Sequence, residues 1–431
     1  MLVSRVYFIT LRKITNFLSV LAMKRIFLLV SLLAVVFSAF SFDYNAGRAS
    51  LSPYPAVESV AVHPDSLKPF FINHVGRHGS RYPAGSTHTK LMKLTLEDAA
   101  AKQTITALGR EFLAEVDRVL LATGNRWGQL DTIGEQEHRG IASRMYKAYP
   151  DLFAEGTVRA ISSYSPRSIM SMYSFTHELT ELSSGISVET ASGRQFNTLV
   201  RNFDMDEDYK NYRNDTAYAG AYSRFLAPNL TVDPLLRLVG ENYDLDYETI
   251  SDLALAEYYV AAGMNAMGLD FDASKYFTVD EYKRLWSIFN FRQYLLYSAS
   301  VVSTRPAEIA GPLLQDIVMT ADSVINGKLT IRAKLRFGHA ETLMPLMALI
   351  QAPGCYYLSN YFDSVADNWK DYEQFPMAAN LQLIYFRGPS GKVYVRADYN
   401  EKPIRLLPGQ TSDYVEWSKL RSRFLELLPL Y

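Results

Sequence analysis

A single cysteine, Cys355, in 431 residues leaves this chain without an internal disulfide, so stability has to come from a buried core rather than covalent staples. That lone thiol is read as a buried structural residue. Charge is scarce and nearly balanced: 21% of the residues are Asp, Glu, Lys or Arg, and the formal net charge is −1. Such a chain has no general basic surface, which argues against nucleic-acid binding and requires any attraction for a polyanion to come from a local cleft. Internal repeats and low-complexity segments are absent, and with 48% hydrophobic residues disorder is excluded.

What is there begins with the N-terminus. Met23-Lys24-Arg25, the apolar run Ile26 to Phe37 and Ser38-Ala39-Phe40-Ser41 have the three parts of a secretory signal. We expect residues 1–41 to be removed, with either Met23 as the true start or an unusually long signal. A retained anchor is the rival, and the apolar run is short for it. The segment carries Arg5, Arg12, Lys13, Lys24 and Arg25 and no acid, so its loss takes the formal charge from −1 to −6. No lipobox cysteine follows it. An exported protein without stable membrane association is expected, in the periplasm, on the outer membrane or vesicles, or secreted.

The chain is organised around Phe70 to Pro83, Phe-Phe-Ile-Asn-His-Val-Gly-Arg-His-Gly-Ser-Arg-Tyr-Pro. Its apolar, β-prone first half predicts a buried strand that ends in a Gly-flanked cluster of Arg77, His78 and Arg81. Open α/β sheets bind ligands at the carboxyl ends of their strands. Two permanently charged guanidinium groups so close together repel unless an anion lies between them, and their forks match phosphate oxygens. A histidine between two cations is held neutral near pH 7, with a ring nitrogen free to attack phosphorus.

Arg77-His78-Gly79-Ser80-Arg81-Tyr82-Pro83 resembles the Arg-His-Gly-x-Arg-x-Pro signature of the histidine acid phosphatases, the phytase branch of the histidine phosphatase superfamily. The resemblance implies that His78 is the nucleophile, forming a phosphohistidine, and that Arg77 and Arg81 hold the phosphoryl oxygens.

Two further corners have the same form. Val158 to Ser163 reads as a strand, followed by Ser165 as N-cap and Pro166 as first helical residue. Arg167 projects from that helix start, where an anion is favoured, and the segment is similar to the one that supplies the family's third phosphate-binding arginine. Leu329 to Phe337 alternates apolar and polar residues as a half-buried strand does, and ends in Gly338-His339-Ala340-Glu341 before an amphipathic helix. The family commonly has His-Asp here. His-Ala-Glu looks like the variant of multiple inositol-polyphosphate phosphatases, which implies His339 as a phosphate ligand and Glu341 as the proton donor. The chemistry is consistent: phosphomonoester hydrolysis needs a nucleophile, cations for the equatorial oxygens and an acid for the leaving alkoxide, which then serves as base for the water. His339-x-Glu341 as half of a metal site is the rival, disfavoured because no further His or Cys cluster accompanies it. No cofactor is expected.

The remaining segments place these corners. Phe42 to Lys68 has no periodicity and reads as a surface wrap. Lys90 and Lys93, beyond the first corner, are candidates for further phosphates of a large substrate. Leu108 to Ala122 and Gly134 to Tyr149 read as helices, with His138 on a charged face of the second. From residue 193 to 300 the pattern is long, aromatic-rich and helical, while Asp204 to Asp215 reads as a charged loop. Leu381 to Phe386 and Val393 to Tyr399 flank Gly388-Pro389-Ser390-Gly391 as a hairpin.

The expected fold is therefore α/β: a central, mostly parallel sheet flanked by helices, built from 42–192 and 301–431, with an α-helical insertion at 193–300 forming one wall of the substrate cleft. The expected function is that of an exported phosphatase of inositol polyphosphates. The alternatives are a generalist acid phosphatase for small sugar or nucleotide monoesters and a non-catalytic binder of phosphate ligands. A mutase is disfavoured by export.

Overall fold

In the computed structural model, residues 42–57, 62–246 and 248–429 are described. The signal and its cleavage point after Ser41 lie outside them. Contacts divide the chain into Met1–Asp43 and Tyr44–Tyr431, and the second unit is the one described below. Its elements run β1 (Lys68–Arg77), α1 (Thr87–Ala101), α2 (Ala107–Thr123), α3 (Thr132–Ala148), β2 (Gly156–Ser162), α4 (Pro166–Leu182) and β3 (Ile186–Ser192). An all-helical stretch follows, with α5 (Glu207–Arg213), α6 (Thr216–Asn229), α7 (Asp233–Val239), α8 (Ile250–Gly263) and α9 (Val279–Tyr297). The chain closes with α10 (Gly311–Ile325), β4 (Ala333–Gly338), α11 (Ala340–Leu349), β5 (Asn380–Arg387), β6 (Val393–Tyr399), β7 (Lys402–Ile404), β8 (Tyr414–Glu416) and α12 (Trp417–Glu426).

The sheet order is β3-β2-β4-β1-β5-β6-β7, with β8 on β6. The half that carries the three corners is parallel, β3, β2, β4 and β1, and the expected hairpin extends it in antiparallel fashion as β5 and β6. Register sets the corners level: Arg77 lies opposite Gly338, and Ser162 opposite Phe337. Crossover helices cover both faces, which is why β1 reads as a nearly continuous apolar run. On one face Ile72, Val158, Leu335 and Phe337 pack with Met145, Phe175 and Leu179 of α3 and α4. On the other, Phe71, Val75, Leu383 and Tyr385 meet α9 to α12.

The wall above the carboxyl edge of the sheet is helical. It draws on α8 and α9, and also on α1 and α2, which pack against α8 and α7.

Several expectations are corrected here. β4 starts only at Ala333 and is buried on both faces. Arg336, read as solvent-facing from the alternation, is fully buried because Asp316 of α10 meets its guanidinium, with Nε to Oδ2 2.8 Å, and Asn73 Oδ1 accepts from it at 2.9 Å. Asp204 to Asp215 contains α5 rather than a loop: Asp206 caps it by accepting from Tyr209 N, and the Tyr209 and Tyr212 hydroxyls donate to the carbonyls of Leu296 and Leu295. Ser165 stands at the N-cap of α4, but its side chain makes no capping bond.

The segment before β1 does not stay on the surface. Ala46–Leu51 forms a 3-10 turn with Ala46, Gly47, Ala49 and Ser50 buried. Its small residues allow this close approach; a Cβ on Gly47 would stand 2.1 Å from the Tyr282 ring.

His138 is inside, not on a charged face: the buried positions of α3 are Gly134, His138, Ile141, Ala142 and Met145, one helical stripe. It lies edge-on to Phe337, and His74 of β1 sits between Phe175 and Phe337. The His74 ring has no hydrogen-bond partner among the described residues; burial holds both rings down to about 3, opposed at His138 by the Arg77 backbone. An unfolded histidine titrates near 6.5, so the folded state resists protonation and stability is lost as pH falls from about 6.5 towards 3. The limiting loss is about 1.4 kcal/mol per pH unit per histidine. The urea midpoint should therefore drop steeply between pH 6.5 and 4, and less steeply for His74→Leu; parallel slopes would contradict this assignment.

Candidate active site

The three corners enclose one end of a cavity of about 350 Å³ whose lining includes Arg77, His78, Arg81, Arg167 and Glu341. His339 lies beside it, its ring centroid 5.5 Å from that of His78. Five of the residues expected from sequence therefore line one space and the sixth adjoins it. Lys90 and Lys93 do not line it. Lys90 is exposed on α1, and Lys93 is held by Asp117 at 2.6 Å and Glu97 at 3.4 Å. From the same segment it is Thr87, His88 and Thr89 that reach the cavity.

The first corner is held from below. Arg77 ends β1 and donates through Nη1 to the carbonyls of Ser50 and Phe375, 2.6 Å each. The His78 amide donates to the Gly338 carbonyl, and its own carbonyl accepts from Ala378 N, both at 3.0 Å. Its Nδ1 lies 2.9 Å from the Gly79 carbonyl. A carbonyl only accepts, so Nδ1 carries the hydrogen and Nε2 keeps its lone pair. Gly79 is required here, since a Cβ would stand 2.6 Å from Gly134 at the start of α3.

That contact brings Glu137 onto the loop. Its carboxylate accepts from the Ser80 amide, the Ser80 hydroxyl and the Tyr54 amide, each at 2.7 Å. Burial raises the Glu137 carboxyl, and these bonds oppose the shift. Behind Arg77, the buried Asp371 accepts from Ser50 N and Trp286 Nε1. Burial pushes it up to about 6.

At the third corner a residue appears that sequence did not single out. Arg201 places Nη1 3.0 Å from His339 Nε2, and Asp204 holds its far side through Nε at 2.7 Å. Ser163 Oγ lies 2.9 Å from the same nitrogen. A guanidinium only donates, so His339 accepts from Arg201 at Nε2 only while Nδ1 bears the hydrogen. Nδ1 in turn lies 3.3 Å from Nη2 of Arg167, so both ring nitrogens face a guanidinium and the ring accepts from one of them at a time. The only sequence signal for Arg201 is the Arg-x-x-Asp spacing to Asp204, which is common on helices.

Electrostatics follow from the crowding of cations. His78 is held well below 6.5 by burial, then by Arg167, Arg77, Arg81 and His339. His339 is lowered in the same way, by burial, Arg167 and Arg201. Both rings are therefore neutral even in mild acid. Burial, with Arg167, brings Arg77 down to about 10, and burial, with Arg167 and Arg77, brings Arg81 to about 9, both still charged. Glu341 opposes the shift in both, which places its carboxylate within their field, on the first turn of α11 where the helix dipole favours a negative charge. Among the described residues no three His, Cys, Asp or Glu side chains converge as a metal site requires. The arrangement presents a neutral, lone-pair-bearing imidazole, a cationic cradle and one carboxylate.

A model of the histidine phosphatase superfamily, branch 2, matches residues 71–400. Human multiple inositol polyphosphate phosphatase 1 is 24% identical, across 78% of this chain and 74% of that protein. Among solved structures, the multiple inositol polyphosphate phosphatase of Bifidobacterium longum, in complex with inositol hexasulfate, has a TM-score of 0.72 at 20% identity, covering 88% of this chain and 97% of its own. The phytase from D. castellii has a TM-score of 0.65 at 13% identity, covering 89% and 85%. These structural likenesses show the fold.

Glu137→Gln turns one acceptor oxygen into a donor facing an N–H, which should cost about 2 kcal/mol of stability. Hydrogen exchange at the Ser80 amide should accelerate at least about tenfold beyond the global change. Unchanged Ser80 protection would show that Glu137 does not hold the loop.

Proposed function

The chain belongs to branch 2 of the histidine phosphatase superfamily and is a phosphoric monoester hydrolase; from that premise we propose that it hydrolyses inositol polyphosphates through a phosphohistidine at His78. The observation that carries the mechanism is the Nδ1 bond to the Gly79 carbonyl, which aims the unprotonated Nε2 among Arg77, Arg81 and Arg167.

Nε2 attacks phosphorus in line with the ester oxygen. Arg77, Arg81 and Arg167 hold the equatorial oxygens together with His339, whose Nε2 lies against Arg201. The step starts from substrate bound with Glu341 protonated, and as the P–O bond breaks Glu341 delivers that proton to the departing alkoxide. Water then attacks the phosphohistidine, Glu341 takes its proton, and His78 is released with inorganic phosphate. The low basicity of both histidines keeps the nucleophile available in mild acid.

The inositol polyphosphate substrate is supported by the named activities of the human and Bifidobacterium longum relatives. A second reading, a generalist acid phosphatase, is favoured by the apolar part of the lining, Val260, Ala266 and Met267. Export is part of the proposal and rests on the signal-like residues 23–41. So is the division into an α/β unit at 42–192 and 301–431 and a helical insertion at 193–300.

Phosphate release from inositol hexakisphosphate and from an aryl phosphate, with chelator present, tests this. The His78→Ala variant should lose at least about 10³-fold in kcat on both esters. The Glu341→Gln variant should lose about 10²-fold or more on the inositol ester and less on the aryl ester, whose leaving group needs no proton. Preference for the aryl ester by the unaltered protein would favour the generalist reading. Full activity without His78 would overturn the mechanism.

A further inference from the structure

Nη1 of Arg77 is clamped between two carbonyls that come from segments far apart in the chain, Ser50 and Phe375. Among the described residues its guanidinium makes no other hydrogen bond, which leaves Nε and Nη2 uncommitted. One residue sets both carbonyls. Asp371 opens the helical turn Asp371–Gln374 and accepts through its carbonyl from the Phe375 amide at 2.8 Å, so the end of that turn carries one half of the clamp. Its carboxylate accepts from the Ser50 amide at 2.9 Å and so holds the other half. Asp371 is fully buried and anchored in turn to α9: Trp286 Nε1 donates to its second carboxylate oxygen, and its own amide donates to Asn290 Oδ1, 2.9 Å each. Trp286 and Asn290 stand one turn apart on the same face of that helix.

The backbone around the clamp is strained. Ala49, just before Ser50, stands at φ 54° and ψ −152°, and Ala378, whose amide donates to the His78 carbonyl at 3.0 Å, stands at φ 56°. Angles of this kind on a residue with a side chain cost free energy and persist only where the surroundings dictate the backbone, a condition met most often at functional sites. Burying a carboxylate is costly as well, and apolar residues would fill the same space without that cost. What Asp371 supplies is direction: two acceptor oxygens at fixed angles, and a negative charge that favours the cationic form of Arg77.

We infer that Asp371 is a positioning residue for phosphoryl transfer: by fixing the Ser50 and Phe375 carbonyls it fixes the guanidinium of Arg77 against the repulsion of its cationic neighbours. This rests on the reading in which Arg77 holds phosphoryl oxygens, and it extends the machinery to a residue that does not line the cavity. Charge spreads over the equatorial oxygens in the transition state, so a guanidinium held a little out of place loses more in turnover than in substrate binding.

The test is a double-mutant cycle on Asp371→Asn and Arg77→Met, read by kcat and KM on an aryl phosphate, with a urea midpoint for each protein. Asparagine keeps the size of the side chain and turns one acceptor into a donor that faces an N–H. Asp371→Asn alone should lower kcat about 10²-fold with KM changed less than about threefold. It should also weaken orthovanadate, which adopts the five-coordinate geometry of the transition state, more than it weakens inorganic phosphate. In the Arg77→Met background the same change should cost less than about threefold, because the group it acts through is gone. An equal loss in both backgrounds, or a folded Asp371→Asn protein with unaltered kcat, would overturn the inference. Where Asp371→Asn yields no folded protein, Trp286→Phe replaces it in the cycle, since it releases the second carboxylate oxygen; a loss of about fivefold, again confined to the background with Arg77, is then expected. Should the unaltered protein hydrolyse no phosphate ester, the substrate reading fails on its own account and the cycle is read from orthovanadate binding: losses that do not add support the positioning role, and losses that add overturn it.

Discussion

Repulsion among guanidinium groups is the constraint on which this structure turns. Arg77, Arg81 and Arg167 converge on His78, and Arg201 crowds His339. At an effective dielectric constant of about 20, a unit charge some 5 Å away disfavours an imidazolium by about 3 kcal/mol. Several such charges leave both histidines neutral. The same repulsion would scatter the loop were it not balanced, and the balance comes from Glu137, Asp371 and Glu341, each near Arg77. The ordinary cost of a buried cation cluster thus leaves a histidine neutral, the state that the proposed mechanism requires.

The sheet allows this crowding because its strands cannot yield. β2, β4 and β1 are adjacent, parallel and covered on both faces, and their register brings three chain reversals to the same level. Below the first of them, Ser50 and Phe375 offer carbonyls to Arg77, and Asp371 ties Ser50 to Trp286 of α9. The helical wall is thereby coupled to the floor of the cavity. Gly79 and Gly134 let α3 touch the loop, so that one carboxylate, Glu137, fixes Ser80.

Much of this was legible from sequence because strand, turn and charge change within a few residues at each corner. His78, the cradle arginines, His339 and Glu341 stood out for that reason, as did the helical character of residues 193–300. What was not legible depended on partners distant in the chain. Arg201 matters only because His339 lies beside it, 138 residues away, and Glu137 looked like one acid among several on a helix. β3 was missed because it is an edge strand, exposed over most of its length, with no apolar stripe to reveal it. Alternation misled at β4, where Arg336 is buried against Asp316. Ala46 to Ser50 entered the core through small residues, which carry no periodic signal. Charge alone makes Lys93 a candidate for substrate contact, and Asp117 claims it.

The central claim is that a histidine kept neutral by its neighbours becomes covalently phosphorylated. The most direct measurement is rapid mixing with substrate followed by an alkaline quench, which preserves phosphohistidine, and location of the phosphate by mass spectrometry of peptides. Phosphate on the peptide containing His78, formed faster than turnover and absent from the one containing His339, is the predicted result. A complete turnover with no phosphorylated histidine, or with the label on His339, would contradict the account.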